Sequence, residues 1–188
     1  MSDENRIEIE DRDLIRRIAA KDADAMDAFY TRYRRLAFTL VLRIVSNRED
    51  AEDVLVDVFW QVWQQADRYD SSRGKPVAWL LTIARTRAID CLRSSGRKPA
   101  GSDAADVQPA IAPSPSDADA FVLADTQRAV QAALQSLPEQ QRIPLEMAYY
   151  QGMSHTEIAE ALAQPLGTVK DRVRNGMMHL RKRLKAYL

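Results

Sequence analysis

The chain has 188 residues, with 27 Lys and Arg against 27 Asp and Glu, so its formal net charge at neutral pH is zero. That length holds one medium or two small domains, and the overall charge is silent about partners. The single cysteine, Cys91, excludes an internal disulfide, the two histidines, His155 and His179, are too few for a metal cage, and no apolar run approaches a membrane span. Residues 1–11 are acidic and unlike a secretory signal, so a cytoplasmic location is expected.

In chain order, the pattern is helical throughout with no alternating strand signal, which places the chain in the all-α class. A short helix is predicted over 12–20. A longer one follows over 24–45, with Met26, Phe29, Tyr30, Tyr33, Ala37, Leu40, Val41 and Ile44 at steps of three and four. Asn47 is suited to cap the next helix, and Glu49, Asp50, Glu52 and Asp53 sit near the positive end of its dipole. The buried stripe of that helix should be Ala51, Val54, Leu55, Val58, Phe59 and Val62. Asp53, Asp57, Trp60 and Gln64 then fall in one wedge on the opposite side, with Val56 beside them. A tryptophan on an acidic outer face marks either a binding surface or a packing contact with a neighbouring helix.

The loop over 67–75 is polar, and Pro76 starts the fourth helix at a permitted first-turn position. Val77, Leu80, Leu81, Ala84, Ala88 and Cys91 are its expected core stripe, which makes Cys91 a core thiol. Trp79, Ile83, Thr86 and Asp90 are expected on the outer side, flanked by Arg85, Arg87 and Arg93. An aromatic on a basic helix after a flexible loop is what single-stranded bases and their phosphates need.

Between Ser94 and Asp117 the composition breaks: 19 of 24 residues are Gly, Pro, Ser, Ala or Asp. Such a segment cannot bury enough apolar surface to offset its ordering entropy, so a flexible linker is expected over 98–119. Two small helical domains follow, over 10–97 and 120–188. The second carries nine basic and six acidic residues over 121–188. Pro138 opens a helix, Ser154 and Glu157 form a capping box that starts another, and Gln164-Pro165-Leu166-Gly167 breaks the chain before a last helix over about 167–187. That helix carries Val169, Val173, Met177, Leu180 and Leu184 on one stripe, with Lys170, Arg172, Arg174, Arg181, Lys182, Arg183 and Lys185 standing against one acid, Asp171. Two short helices joined by a tight turn, the second basic, read as a DNA-binding helix-turn-helix or as a plain helical hairpin with a solvated face.

Four blocks in order resemble the extracytoplasmic-function (ECF) sigma factors of bacterial RNA polymerase. They are Ala51-Glu52-Asp53-Val54 with Asp57-Val58-Phe59 and Trp63; Ala78-Trp79-Leu80 with Ile83-Ala84-Arg85 and Ala88-Ile89-Asp90; Leu137-Pro138-Glu139-Gln140-Gln141-Arg142; and Ile158-Ala159 with Pro165-Leu166-Gly167-Thr168-Val169-Lys170. The resemblance implies that the first domain grips core RNA polymerase and reads the melted minus 10 promoter element, and that the second reads the minus 35 duplex. It implies polymerase contacts at Asp53, Val56, Asp57 and Trp60; minus 10 contacts at Arg68, Arg73, Lys75, Trp79, Thr82, Ile83 and Thr86; and minus 35 contacts at Thr168, Lys170, Arg172 and Arg174.

The chain departs from the family pattern in several places. Val56 stands where a glutamine is common, Thr82 and Ile83 where housekeeping relatives carry an aromatic wedge, Thr86 where asparagine is usual, and Asp171 where a small polar residue is expected. Weak melting and a narrow promoter set would follow. The expected protein is therefore a specificity subunit without bond chemistry, cofactor or small-molecule substrate, controlled by an anti-sigma factor that is soluble or membrane-bound. The competing reading is a stand-alone helix-turn-helix regulator with a helical sensing domain, for which the acidic wedge has no use.

Overall fold

The computed structural model describes residues 3–96 and 128–184, and all regular structure among them is helical. The chain forms two compact units. The first is built from α1 (Asp3–Ala19), α2 (Ala23–Val45), α3 (Arg48–Gln65) and α4 (Pro76–Ser94), with a 3-10 turn at Ala66–Arg68. The second holds α5 (128–135), α6 (Glu139–Tyr150), α7 (His155–Ala161) and α8 (Leu166–Arg183). The linker expected over 98–119 lies outside the described residues, as does the last helix beyond 184.

α1 starts nine residues ahead of the expected Arg12. Its first turns are polar, and i,i+4 pairs from Arg12 to Glu8 at 2.6 Å and Arg6 to Glu10 at 4.0 Å support them where no apolar stripe announces a helix. Leu14, Ile15 and Ile18 bury its later turns. Beside them lies Asp11, the one charged side chain buried among the described residues. It accepts from Arg32 Nη1 at 2.7 Å and from the Tyr33 hydroxyl, so its charge is matched by groups on α2.

The chain leaves α1 through Lys21 at φ 64. The Lys21 N–H donates to the Ile18 carbonyl at 2.9 Å and the Asp22 N–H to the Arg17 carbonyl at 3.1 Å, the two bonds of a Schellman ending. The left-handed lysine is strained, but its ammonium donates to the Trp63 carbonyl at 2.5 Å and so satisfies the end of α3. Asp22 then caps α2 by accepting from Asp24 and Ala25, and Asn47 caps α3 by accepting from Asp50 at 3.0 Å. The Ala25 N–H, followed by Arg17, holds the Asp22 carboxyl below its ordinary range.

α3 buries Ala51, Val54, Val58, Phe59 and Val62 as expected, with Leu55 half-buried at the edge of the stripe. α4 differs from expectation. It packs on α1, α2 and α3 together, and three neighbours cover a wider arc than one stripe. Leu80, Ile83, Ala84, Ala88, Ile89 and Leu92 are all buried, whereas Val77, Leu81 and Cys91 are only half-buried. Ile83 therefore faces the core at 7% exposure and not the outside, and Cys91 is not a core thiol.

In the second unit, Leu134, Leu137 and Leu145 form the centre, with Val130, Val173 and Leu180 packed against them and Ile158 and Val169 fully buried. The expected stripe on α8 is corrected at one position. Gly176 is buried where Met177 was expected, and Met177 stands 53% exposed. A Cβ at residue 176 would lie 3.4 Å from the Gln141 carbonyl oxygen and 3.6 Å from Leu145 Cδ2. The glycine lets α8 approach the α6 backbone, and that approach turns Met177 outward.

Candidate nucleic-acid interface

The outer face of α3 carries Asp53, Val56, Asp57 and Trp60, all exposed, with Val56 at 70% and Trp60 at 61%. Most of the Trp60 surface is thus left open to solvent. Two carboxylates beside two uncovered apolar side chains make a surface suited to a partner with basic and apolar groups, because the apolar pair gains by leaving water.

The segment between α3 and α4 is braced, contrary to the flexible loop that its composition suggests. The Tyr69 hydroxyl donates to the Gly74 carbonyl at 2.7 Å, closing the loop, and its ring lies 5.5 Å from that of Trp79. Burial pushes the Tyr69 phenol above its ordinary value, with Arg12 opposing. Asp70 accepts from the Ser72 hydroxyl at 2.7 Å and from the Ser72 N–H at 2.9 Å, and those bonds lower its pKa. Lys75 lies 3.7 Å from Glu8 of α1. Arg68 and Arg73 project outward from this frame.

Past Pro76, Trp79 is half-buried and Thr82 and Thr86 are exposed, one line along α4 at helical spacing. Each threonine donates its hydroxyl to the carbonyl four residues back, Thr82 to Ala78 at 2.8 Å and Thr86 to Thr82 at 2.9 Å. What they offer outward is a methyl group and acceptor lone pairs, a surface that suits amino groups and ring faces of unstacked bases. Ile83, expected in this set, is covered by the core and drops out of it.

In the second unit the helix-turn-helix geometry is built by caps. Ser154 and Glu157 exchange both bonds of a capping box, Ser154 N–H to Glu157 Oε2 at 2.6 Å and Glu157 N–H to Ser154 Oγ at 3.3 Å. The reversal falls two residues earlier than Pro165 suggests. Ala163 adopts φ 49, the Gln164 N–H reaches the Ala159 carbonyl at 2.9 Å and the Ala163 N–H the Glu160 carbonyl at 3.2 Å. α8 then opens at Leu166, with Thr168 half-buried in its first turns and Lys170 exposed.

Arg174 is exposed and lies 3.3 Å from Asp171, the one acid on this helix, in a solvent-exposed pair. Arg172 is placed differently from expectation. It is half-buried, with Nη1 donating to Gln164 Oε1 and Nη2 to Gln140 Oε1 at 3.4 Å. Sequence reasoning assigned these glutamines no role, since nothing in a spacing pattern says where a long arginine will turn.

Residues 29–98 match the family described as Sigma-70 region 2, and residues 127–180 match Sigma-70, region 4. An ECF RNA polymerase sigma factor SigK of Mycolicibacterium vanbaalenii is 38% identical over 172 residues, covering 90% of this chain and 86% of the relative. A SigK of Mycobacterium tuberculosis is 34% identical over 171 residues, covering 89% of this chain and 90% of the relative. Among solved structures, Rhodobacter sphaeroides SigE in complex with the anti-sigma ChrR is 30% identical, with 90% of this chain and 94% of that one covered at a TM-score of 0.45.

Proposed function

The chain belongs to the family of ECF RNA polymerase sigma factors, and from that premise we propose how its two units share the work of starting transcription. The outer face of α3 docks on core RNA polymerase through Asp53, Val56, Asp57 and Trp60. Arg68, Arg73 and Lys75 hold the backbone of the melted minus 10 strand, while Trp79, Thr82 and Thr86 meet its bases. Thr168, Lys170 and Arg174 approach the minus 35 duplex, the first at the helix N-terminus against a phosphate and the other two on phosphates or guanine edges.

The observation that carries the polymerase assignment is the exposure of Trp60 beside Asp53 and Asp57 on one face of α3, a surface that a stand-alone regulator has no reason to keep. No bond is made or broken by the protein itself. Its contribution is binding free energy that favours the separated strands, and it acts in the cytoplasm, where polymerase and promoter are. Family membership also points to an anti-sigma factor that covers these faces until a signal arrives. The test is transcription in vitro with purified core polymerase on a promoter library. Start sites that appear only when the chain is added are expected; none at all would return the stand-alone regulator to first place.

A further inference from the structure

We propose that Arg172 does not contact DNA but clamps the recognition helix, and that Gln140 and Gln164 are its partners in setting the angle at which α8 enters the groove. The inference rests on the reading of α8 as the duplex-binding helix. Residues two apart on a helix point about 160° away from each other. Arg172 is therefore turned away from both Lys170 and Arg174, and the exposed pair and the half-buried arginine cannot share one groove.

What Arg172 faces is α6. The guanidinium spans two amide oxygens, Gln164 in the turn that precedes α8 and Gln140 in the first turn of α6, so one planar group ties three elements of the unit together. The same side of α8 meets α6 again one and two turns on. Gly176 lies against the Gln141 backbone, and His179 Nδ1 is 2.9 Å from Gln141 Oε1. Residues 172, 176 and 179 follow the i, i+4, i+7 spacing of a single contact face. Arg172 is the contact of that face closest to the DNA-entering end. Together with the fully buried Val169 it holds the first turns of α8, and hence the reach of Thr168 and Lys170, while the glycine fixes the distance.

The proposal separates from a phosphate contact by three readouts on the full chain bound to core polymerase, with a promoter duplex selected by the unmodified holoenzyme from a random pool as probe. Affinity is measured by fluorescence anisotropy across a salt series. Lys170→Ala serves as the control: it should weaken binding and lower the salt slope by about one. Arg172→Ala should weaken binding about tenfold with the slope unchanged. Arg172→Lys keeps the charge but cannot span two amides, so it should behave like the alanine variant. Gln140→Ala with Gln164→Ala should reproduce the loss without removing any charge and should add nothing to Arg172→Ala, as expected for residues acting as one unit.

Rescue by Arg172→Lys, a slope lowered by about one in Arg172→Ala, or full affinity in the double glutamine variant would each overturn the clamp. If Arg172→Ala fails to fold, the glutamine pair and the lysine variant decide the matter. Loss of effect in the Lys170→Ala control would instead overturn the duplex reading of α8 and leave the intra-unit clamp to be judged on the glutamine variants' melting alone: no lowering of the melting temperature would refute it.

Discussion

Replacing Trp60 with alanine should weaken binding to core polymerase by a factor that follows from its exposure. A tryptophan side chain has roughly 250 Å² of surface to bury. With 61% of the residue uncovered, roughly 150 Å² remains for a partner to cover, worth up to about 4 kcal/mol at about 25 cal/mol per Å². Side-chain ordering and imperfect contact reduce that ceiling, so a loss of about 2–3 kcal/mol is expected, a fall in affinity of about 30- to 150-fold. Titration of labelled core polymerase with the full chain measures it. Circular dichroism and the melting temperature should be unchanged, because Trp60 leaves the core untouched. Double charge reversal, Asp53→Arg with Asp57→Arg, should abolish binding in the same assay. A well-folded Trp60→Ala protein within about threefold of the original affinity would refute the assignment of this face.

Three further outcomes are expected. Ala163→Gly should stabilise the second unit by about 1 kcal/mol in urea denaturation, because glycine accepts the left-handed position without a Cβ penalty; destabilisation would mean the turn is held by contacts of the alanine methyl. Arg32→Met should cost about 3–5 kcal/mol by taking an ionic partner from the buried Asp11 carboxylate, whereas a neutral outcome would show that its remaining partners suffice. Asp22 has a lowered folded pKa, so its stabilising contribution is present above the ordinary carboxylate range and is lost as pH falls through the lowered value; Asp22→Asn keeps the cap and should flatten the acid limb of a melting-temperature profile, and an unchanged limb would assign it to other carboxylates.

Much of the fold was legible in the sequence because it is punctuated by side-chain chemistry. Asn47, Ser154 with Glu157, and Pro76 each fix a helix start by a local hydrogen bond or a missing N–H, and local rules see them directly. The outward side of α3 was legible for the same reason: one stripe packs, so the remainder faces out. α4 was not, because apolar periodicity assumes one partner and this helix has several; Ile83 was expected outside on that assumption. Gly176 was missed since a residue without a side chain has no weight in a hydrophobic pattern, yet its emptiness decides which methionine is turned to solvent. Ala163 hid the turn, because a left-handed position is expected of glycine or asparagine and not of alanine. The bracing of residues 69–75 by Tyr69 is invisible to composition, which reads only that the loop is polar.

The contribution of α1 bears on where this protein can be cut. The stretch that matches Sigma-70 region 2 begins at residue 29, yet Leu14, Ile15, Ile18 and Asp11, all upstream, are buried in the same unit. Burial of each aliphatic side chain is worth roughly 1.5–3 kcal/mol, and a small unit has only about 5–15 kcal/mol in total. A fragment that starts at the family boundary would uncover the apolar wall of α2 and remove the carboxylate that answers Arg32. Recognisable ancestry and autonomous folding thus have different borders in this chain: excision at residue 29 should yield an aggregating helix bundle, and excision ahead of α1 a soluble one.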